Sequence, residues 1–159
     1  FEYYTAGAGG GVAHFDGKKT EAMFPIASNT KVLTSILLVR LADYGNLSLT
    51  ETVGSFLSQE CGNDLPAAVE DITLFQLASQ TSGLPAQPTN RHDCETDPDP
   101  ENCNPFTNYT VQDLCQTLRV VELGPKGHYI YSNLAYGMLG YLMERRMGKT
   151  YEQLPRLHE

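Results

Sequence analysis

Apolar positions along the chain change period several times. The longest apolar run, Val32 to Val39, continues through Leu41 and Ala42 and predicts a helix over about residues 28–44. Gly45 and Asn46 then read as its stop and turn. The same spacing predicts helices over about 71–80, 110–119 and 133–147, and a last one starting near Thr150. Thr110 with Asp113 has the form of a capping box, and Gly148 that of a helix-terminating glycine. Residues 1–27 read as strand or loop, with Gly7 to Gly11 flexible. Between 85 and 109 the pattern is lost. Pro85, Pro88, Pro98, Pro100 and Pro105 alternate with Asp93, Glu95, Asp97, Asp99 and Glu101, a composition that cannot pack a core and reads as a surface loop. The Tyr136, Gly137, Gly140, Tyr141 pattern reads as close helix packing rather than a binding face. No internal repeats are visible.

Composition narrows the function classes. A chain of 159 residues is long enough to bury one core. Its net charge of −8 argues against nucleic-acid binding, since no basic stripe exists to meet phosphates. The run around Val32 to Val39 is too short to span a bilayer.

Chemistry concentrates at Ser28-Asn29-Thr30-Lys31, where the long helix begins. A serine and a lysine three residues apart on a first helical turn share a face, roughly 5–6 Å apart at Cβ. The helix N-terminus adds exposed backbone N–H groups and the positive end of the dipole. Together these suit activation of a serine and stabilisation of the oxyanion it makes on a carbonyl. The spacing alone is common, so its context decides. Tyr131-Ser132-Asn133 follows the turn-rich Gly124-Pro125-Lys126-Gly127 and precedes the run Leu134 to Met147, so its side chains stand at an element junction. A phenol near an ammonium is drawn towards phenolate and becomes a usable base. Asn133 offers an amide to a substrate carbonyl or to the lysine. A second Tyr-x-Asn, at Tyr44, is a decoy: it closes the helix that Ser28 opens, roughly 24 Å away at 1.5 Å per residue.

Phe24-Pro25-Ile26-Ala27-Ser28-Asn29-Thr30-Lys31, Leu41-Ala42-Asp43-Tyr44-Gly45-Asn46-Leu47-Ser48-Leu49, Leu74 to Pro85 and Tyr131 to Tyr136 together resemble the serine β-lactamase and penicillin-binding protein superfamily. The match is to its class C, D,D-carboxypeptidase and β-lactamase-like esterase branch. The resemblance implies an α+β fold of the β-lactamase/transpeptidase type, with this segment mostly the helical subdomain plus remnants of the N-terminal sheet strands. It implies one catalytic domain, of which 1–27 is the end of the strands and 28–159 the helical part. It also implies a serine hydrolase that cleaves amide or ester bonds through an acyl-enzyme. Ser28 is then the nucleophile, Lys31 and Tyr131 the proton acceptors, and Asn133 the substrate-orienting residue. The substrate would be a lactam, a D-amino-acid peptide or an ester, with no metal and no cofactor. A catalytically weak scaffold or binding protein on the same fold is the alternative.

One departure stands out. The superfamily's third motif, Lys-Thr-Gly or His-x-Gly, is not found: Lys19 and Lys149 are followed by Thr and then by Glu21 and Tyr151. The expectation is therefore an internal fragment, inactive alone, whose helices at 28–44 and 133–147 present apolar faces with nothing to cover them.

The remaining signals add less. None of Cys61, Cys94, Cys103 and Cys115 forms a Cys-x-x-Cys pair, which argues against zinc. A Cys94–Cys103 bridge would staple the acidic loop; the alternative is four reduced thiols, with Cys115 an ordinary core position on its helix. The sequons at Asn46 and Asn108 fit a secretory or extracellular route, with a cytoplasmic or mitochondrial one as the alternative. Asp97 to Glu101 reads as a solvated acidic loop rather than a calcium site. His14, His92, His128 and His158 lack metal spacing, and His128 either lines the cleft beside Tyr131 or is a plain surface residue. Neither a Gly-x-Ser-x-Gly elbow nor a phosphate loop is present.

Overall fold

The computed structural model describes residues 4–6, 12–14, 26–100 and 103–156; the expectation of a flexible Gly7 to Gly11 lies outside them. Strands β1 (Tyr4–Ala6) and β2 (Val12–His14) pair antiparallel, with Tyr4 opposite His14. The rest of the described chain is helices and loops.

Helix α1 (Thr30–Asp43) carries the predicted apolar run. Ser28 lies in the 3-10 turn Ala27–Asn29 that leads into it, so the α-helix proper starts two residues later than the spacing suggests. Gly45, at φ 72°, ends it as expected, and the N–H groups of Gly45 and Asn46 satisfy the carbonyls of Ala42 and Leu41. Two elements were not legible in the sequence: α2 (Val53–Cys61) and α3 (Ala67–Glu70). Val53, Leu57 and Cys61 bury one face of α2, but Gly54, Ser55 and Ser58 dilute its period. The helix expected over 71–80 is the shorter α4 (Leu74–Ala78). Its start is fixed by a capping box in which the Thr73 hydroxyl accepts from Gln76 N–H and the Gln76 amide oxygen accepts from Thr73 N–H. Helix α5 (Val111–Val120) begins at the predicted Thr110/Asp113 capping box. Helix α6 (Asn133–Met147) ends at Gly148 in the left-handed conformation. The last element, Tyr151–Arg156, is a 3-10 helix.

Helix α6 is the centre of the packing, touching α1, α2, α4 and the terminal 3-10 helix. Its Leu134, Ala135, Met138, Leu139, Leu142 and Met143 are all buried. The expectation of an uncovered apolar face on 133–147 is thus corrected, because this chain's own helices surround it. For α1 the expectation holds. Thr34, Leu37, Leu38 and Leu41 face the core, while Val32, Leu33, Ile36 and Val39 on the other side are 60%, 55%, 53% and 49% exposed. A helix apolar all round is the pattern of one meant to be covered on every side.

Two disulfides tie the loops down. Cys94–Cys103 staples the acidic loop, as expected. Cys115 is not merely a core position: it bridges to Cys61 and joins α5 to α2 across 54 residues. A bridge of that span restricts the unfolded chain and stabilises by about 2–4 kcal/mol. Within the loop, the His92 ring nitrogen lies 2.7 Å from Asp97 Oδ2, and the His92 N–H donates to the Pro105 carbonyl.

Candidate active site

Two short segments build the site. The first is the entry to α1. Ala27, at φ 45°, turns the backbone through a region that non-glycine residues rarely occupy, and Ser28 follows it on an exposed corner. Lys31, one turn on, reaches back: its Nζ donates to Ser28 Oγ at 3.2 Å. The second segment is the lead-in to α6, which is held by backbone and side-chain bonds to residues 80–86. Ile130 N–H donates to the Gln80 carbonyl, Gly127 N–H to Thr81, Gly124 N–H to Gly83 and Asn133 N–H to Ala86. Gly83 is required here, since its φ is +81° and an added Cβ would lie 2.5 Å from the Gly124 carbonyl oxygen.

Within that ladder Ser132 does not face the site. It is fully buried, caps α6 by accepting from Ala135 N–H, and donates to the Pro85 carbonyl at 2.6 Å. Its own N–H donates to the Gln80 side-chain oxygen at 2.7 Å. Gln80 is buried and sits at φ 61°, so a strained residue clamps the centre of the Tyr131-Ser132-Asn133 triplet. Ser132 thereby fixes its two neighbours, which alternate to the other side.

The two segments meet. Ser28 Oγ and the Tyr131 hydroxyl are 2.6 Å apart, and Lys31 Nζ donates to Asn133 Oδ1 at 2.7 Å. The same ammonium lies 4.7 Å from the centre of the Tyr131 ring and 5.7 Å from that of Tyr136. Tyr136 bridges further outward, its hydroxyl reaching the Ala78 carbonyl and Ser35 Oγ. The Lys31 ammonium, and then the Ser28 hydroxyl, pull the Tyr131 phenol below its usual value against a smaller opposing effect of burial. A hydroxyl, an amine and a phenol in mutual contact can pass a proton among themselves.

All four residues picked out from the sequence, Ser28, Lys31, Tyr131 and Asn133, are therefore in one cluster. Tyr44 is elsewhere, at the far end of α1. His128 stands exposed on the turn before Tyr131. Sequence reasoning missed Gln80, Ser132 and Tyr136, which support the cluster. Only the Ser-x-x-(Ala) N-cap position of Ser132 carried a local signal, and the left-handed backbone of Gln80 carried none. A Cβ added at Gly140 would lie 3.5 Å from the Tyr151 ring, an ordinary contact, and one on Gly137 would meet nothing within 4 Å, which corrects the close-packing reading for both glycines. His92, Asp97 and Cys103 bring possible ligand atoms within 4.8 Å of one another, yet Cys103 sulfur is committed to its disulfide. Among the described residues no helix is long and apolar enough to cross a membrane.

A serine in contact with both a lysine and a tyrosine, at the entry to a long helix, sets this cluster beside known families. The chain belongs to the Beta-lactamase family, whose model matches residues 3–157. It is 30% identical over 132 residues to Protein flp of Staphylococcus aureus (strain MW2), covering 82% of this chain and 24% of that protein. It is 28% identical over 141 residues to the N-acetylmuramyl-L-alanine amidase of Bacillus subtilis (strain 168), covering 84% of this chain and 30% of that protein. Among solved structures, a β-lactamase/D-alanine carboxypeptidase from Yersinia pestis, complexed with citrate, superposes with a TM-score of 0.61 at 34% identity, covering 82% of this chain and 36% of that one. The chain thus spans about a quarter to a third of the length of these relatives. The fold is of the β-lactamase/transpeptidase type, and this portion of it is mostly helical.

Proposed function

We propose that this chain carries the nucleophile half of a serine acyl hydrolase. Ser28 Oγ attacks an amide or ester carbonyl and passes its proton to Tyr131, Lys31 or both. The tetrahedral intermediate collapses as the carbonyl carbon releases its amine or alcohol, which takes that proton. Water, deprotonated by the same groups, then cleaves the Ser28 ester and frees the acid. The Ser28 N–H, at the positive end of α1, supplies half of the oxyanion site, and Asn133 orients the substrate while fixing Lys31. Lactams, D-amino-acid peptides and esters are the substrates this chemistry suits. The observation that carries the reading is the contact of Ser28 Oγ with both the Tyr131 hydroxyl, at 2.6 Å, and Lys31 Nζ, at 3.2 Å.

The chain is read as part of a single catalytic domain, β1 and β2 belonging to a larger sheet and the bare face of α1 packing against it. The two disulfides favour an oxidising, secretory setting. A fluorophosphonate or penicillin probe, applied to the longest natural form of the protein, tests the reading. A covalent label on Ser28 that Ser28→Ala removes is the expected result. A label that persists in Ser28→Ala overturns the assignment.

A further inference from the structure

Asn133 borders a second feature. Besides holding Lys31, it lines an apolar cavity of about 320 Å³, together with Pro88, Phe106, Tyr109, Leu114 and Gly137 among others. That volume is at the lower end of the range, about 300–1,000 Å³, of sites that take small molecules. No lining residue carries a charge. A carboxylate or ammonium entering it would lose its water without gaining a partner, so the cavity favours neutral, apolar groups.

Its outer wall comes from the loop that the sequence reads as mere solvated surface. The return leg of that loop brings Phe106 and Tyr109 against each other edge to face, at 6.3 Å between ring centres. The wall is fixed in several ways. Asn90 Oδ1 accepts from both Tyr109 and Thr117, Asn90 Nδ2 donates to the Asp113 carbonyl, and the Cys94–Cys103 bridge closes the loop between. The opposite wall includes Gly137, inside α6. Glycine weakens a helix relative to alanine, and no neighbouring atom excludes a side chain here. Packing therefore gives no reason for Gly137; the space it leaves open does.

We infer that this cavity is an acyl-chain subsite, and that the site prefers substrates with a neutral apolar acyl group of several carbons over acetyl or charged acyl groups. The inference rests on the acyl-transfer reading of Ser28. An acyl carbonyl positioned beside Asn133 directs its chain into the adjoining cavity, where each methylene taken from water favours binding by about fourfold until the space is filled.

The test compares 4-nitrophenyl acetate, 4-nitrophenyl hexanoate and the ester of a chain of the same length ending in carboxylate, on the longest natural form of the protein. Expected is a kcat/KM at least about tenfold higher for hexanoate than for acetate, with the carboxylate-ended ester falling back to the acetate level. Gly137→Leu should erase the advantage of hexanoate over acetate, and Phe106→Ala should shift the preference to longer chains. A flat chain-length profile, or a hexanoate preference that survives Gly137→Leu, overturns the inference. Calorimetry of hexanamide with Ser28→Ala reads the cavity without catalysis. Saturable binding lost in Ser28→Ala/Gly137→Leu, together with no turnover of any ester, would retain the subsite and sink the acyl-transfer reading. No binding overturns the subsite itself.

Discussion

Helices α1 and α6 make an instructive pair. Each carries half of the site at its N-terminal end, Ser28 and Lys31 on one and Tyr131 and Asn133 on the other, and each is apolar around most of its circumference. Yet α6 is enclosed by α1, α2, α4 and the terminal 3-10 helix, whereas α1 leaves Val32, Leu33, Ile36 and Val39 bare. The lead-in to α6 is also clamped by Gln80, Pro85 and Ala86, while Ser28 stands on an exposed corner behind a strained Ala27. The Tyr131 half is thus preorganised by the chain itself. The Ser28 half stands beside the bare side of α1 and is held by Lys31 and Tyr131.

The largest effects should come from cutting the link between the halves. Tyr131→Phe and Lys31→Ala should each slow acylation by about two to four orders of magnitude. The double variant should cost little more than either single one, because the groups act as a unit. Tyr44→Phe should leave the rate nearly unchanged, and a loss there equal to that of Tyr131→Phe would refute the site. The pH profile sharpens the same point. Tyr131 serves as a base only when deprotonated, and its pKa is lowered, chiefly by Lys31. Acylation should therefore rise with pH along a limb below the usual tyrosine value of about 10, and Lys31→Ala should move what activity remains to higher pH.

Next come the two helix bodies. Leu139→Ala, at the enclosed centre of α6, should destabilise the fold by about 2–5 kcal/mol in a denaturant titration. Ile36→Gln on the bare side of α1 should leave the stability of residues 1–159 nearly unchanged and improve their solubility, since it breaks an exposed apolar patch. The same substitution should reduce activity in the longest natural form. Equal destabilisation by both changes in residues 1–159 would show that α1 is as well covered as α6. Residues 1–159 are expected to be poorly soluble, because the bare side of α1 exposes an apolar patch.

A smaller effect is expected at the clamp. Gln80→Ala strands the buried Ser132 N–H, which should cost about 1–3 kcal/mol and loosen Tyr131, lowering kcat more than it raises KM. The smallest is at the α5 cap, where Thr110→Ala should cost about 1 kcal/mol and leave the rate with acetyl esters untouched.

The legible and the illegible parts of the chain differ in the same physical way. Ser28, Lys31, Tyr131 and Asn133 were readable because each lies at a helix boundary marked by local chemistry: an apolar run after Lys31, a glycine-rich turn before Tyr131. The caps at Thr110 and Gly148 were readable for that reason too. What escaped depends on distant partners. Cys115 finds Cys61 across 54 residues. Helix α2 has its four-residue period diluted by glycine and serine and gains its stability from α5, α6 and the disulfide. Gln80 takes a left-handed backbone that no glycine announces, and the loop over 85–109 acquires an apolar inner wall only because Phe106 and Tyr109 meet α5 and α6.

The central claim is that Ser28 becomes acylated, with Lys31 and Tyr131 carrying its proton. Its most direct test is a rapid-mixing burst with a chromogenic ester on the longest natural form of the protein, quenched in acid and followed by peptide mass spectrometry. The account predicts a burst of about one equivalent and an acyl mass on the peptide containing Ser28, both absent in Ser28→Ala. A burst retained in Ser28→Ala, or an acyl group found on any other residue, would contradict it.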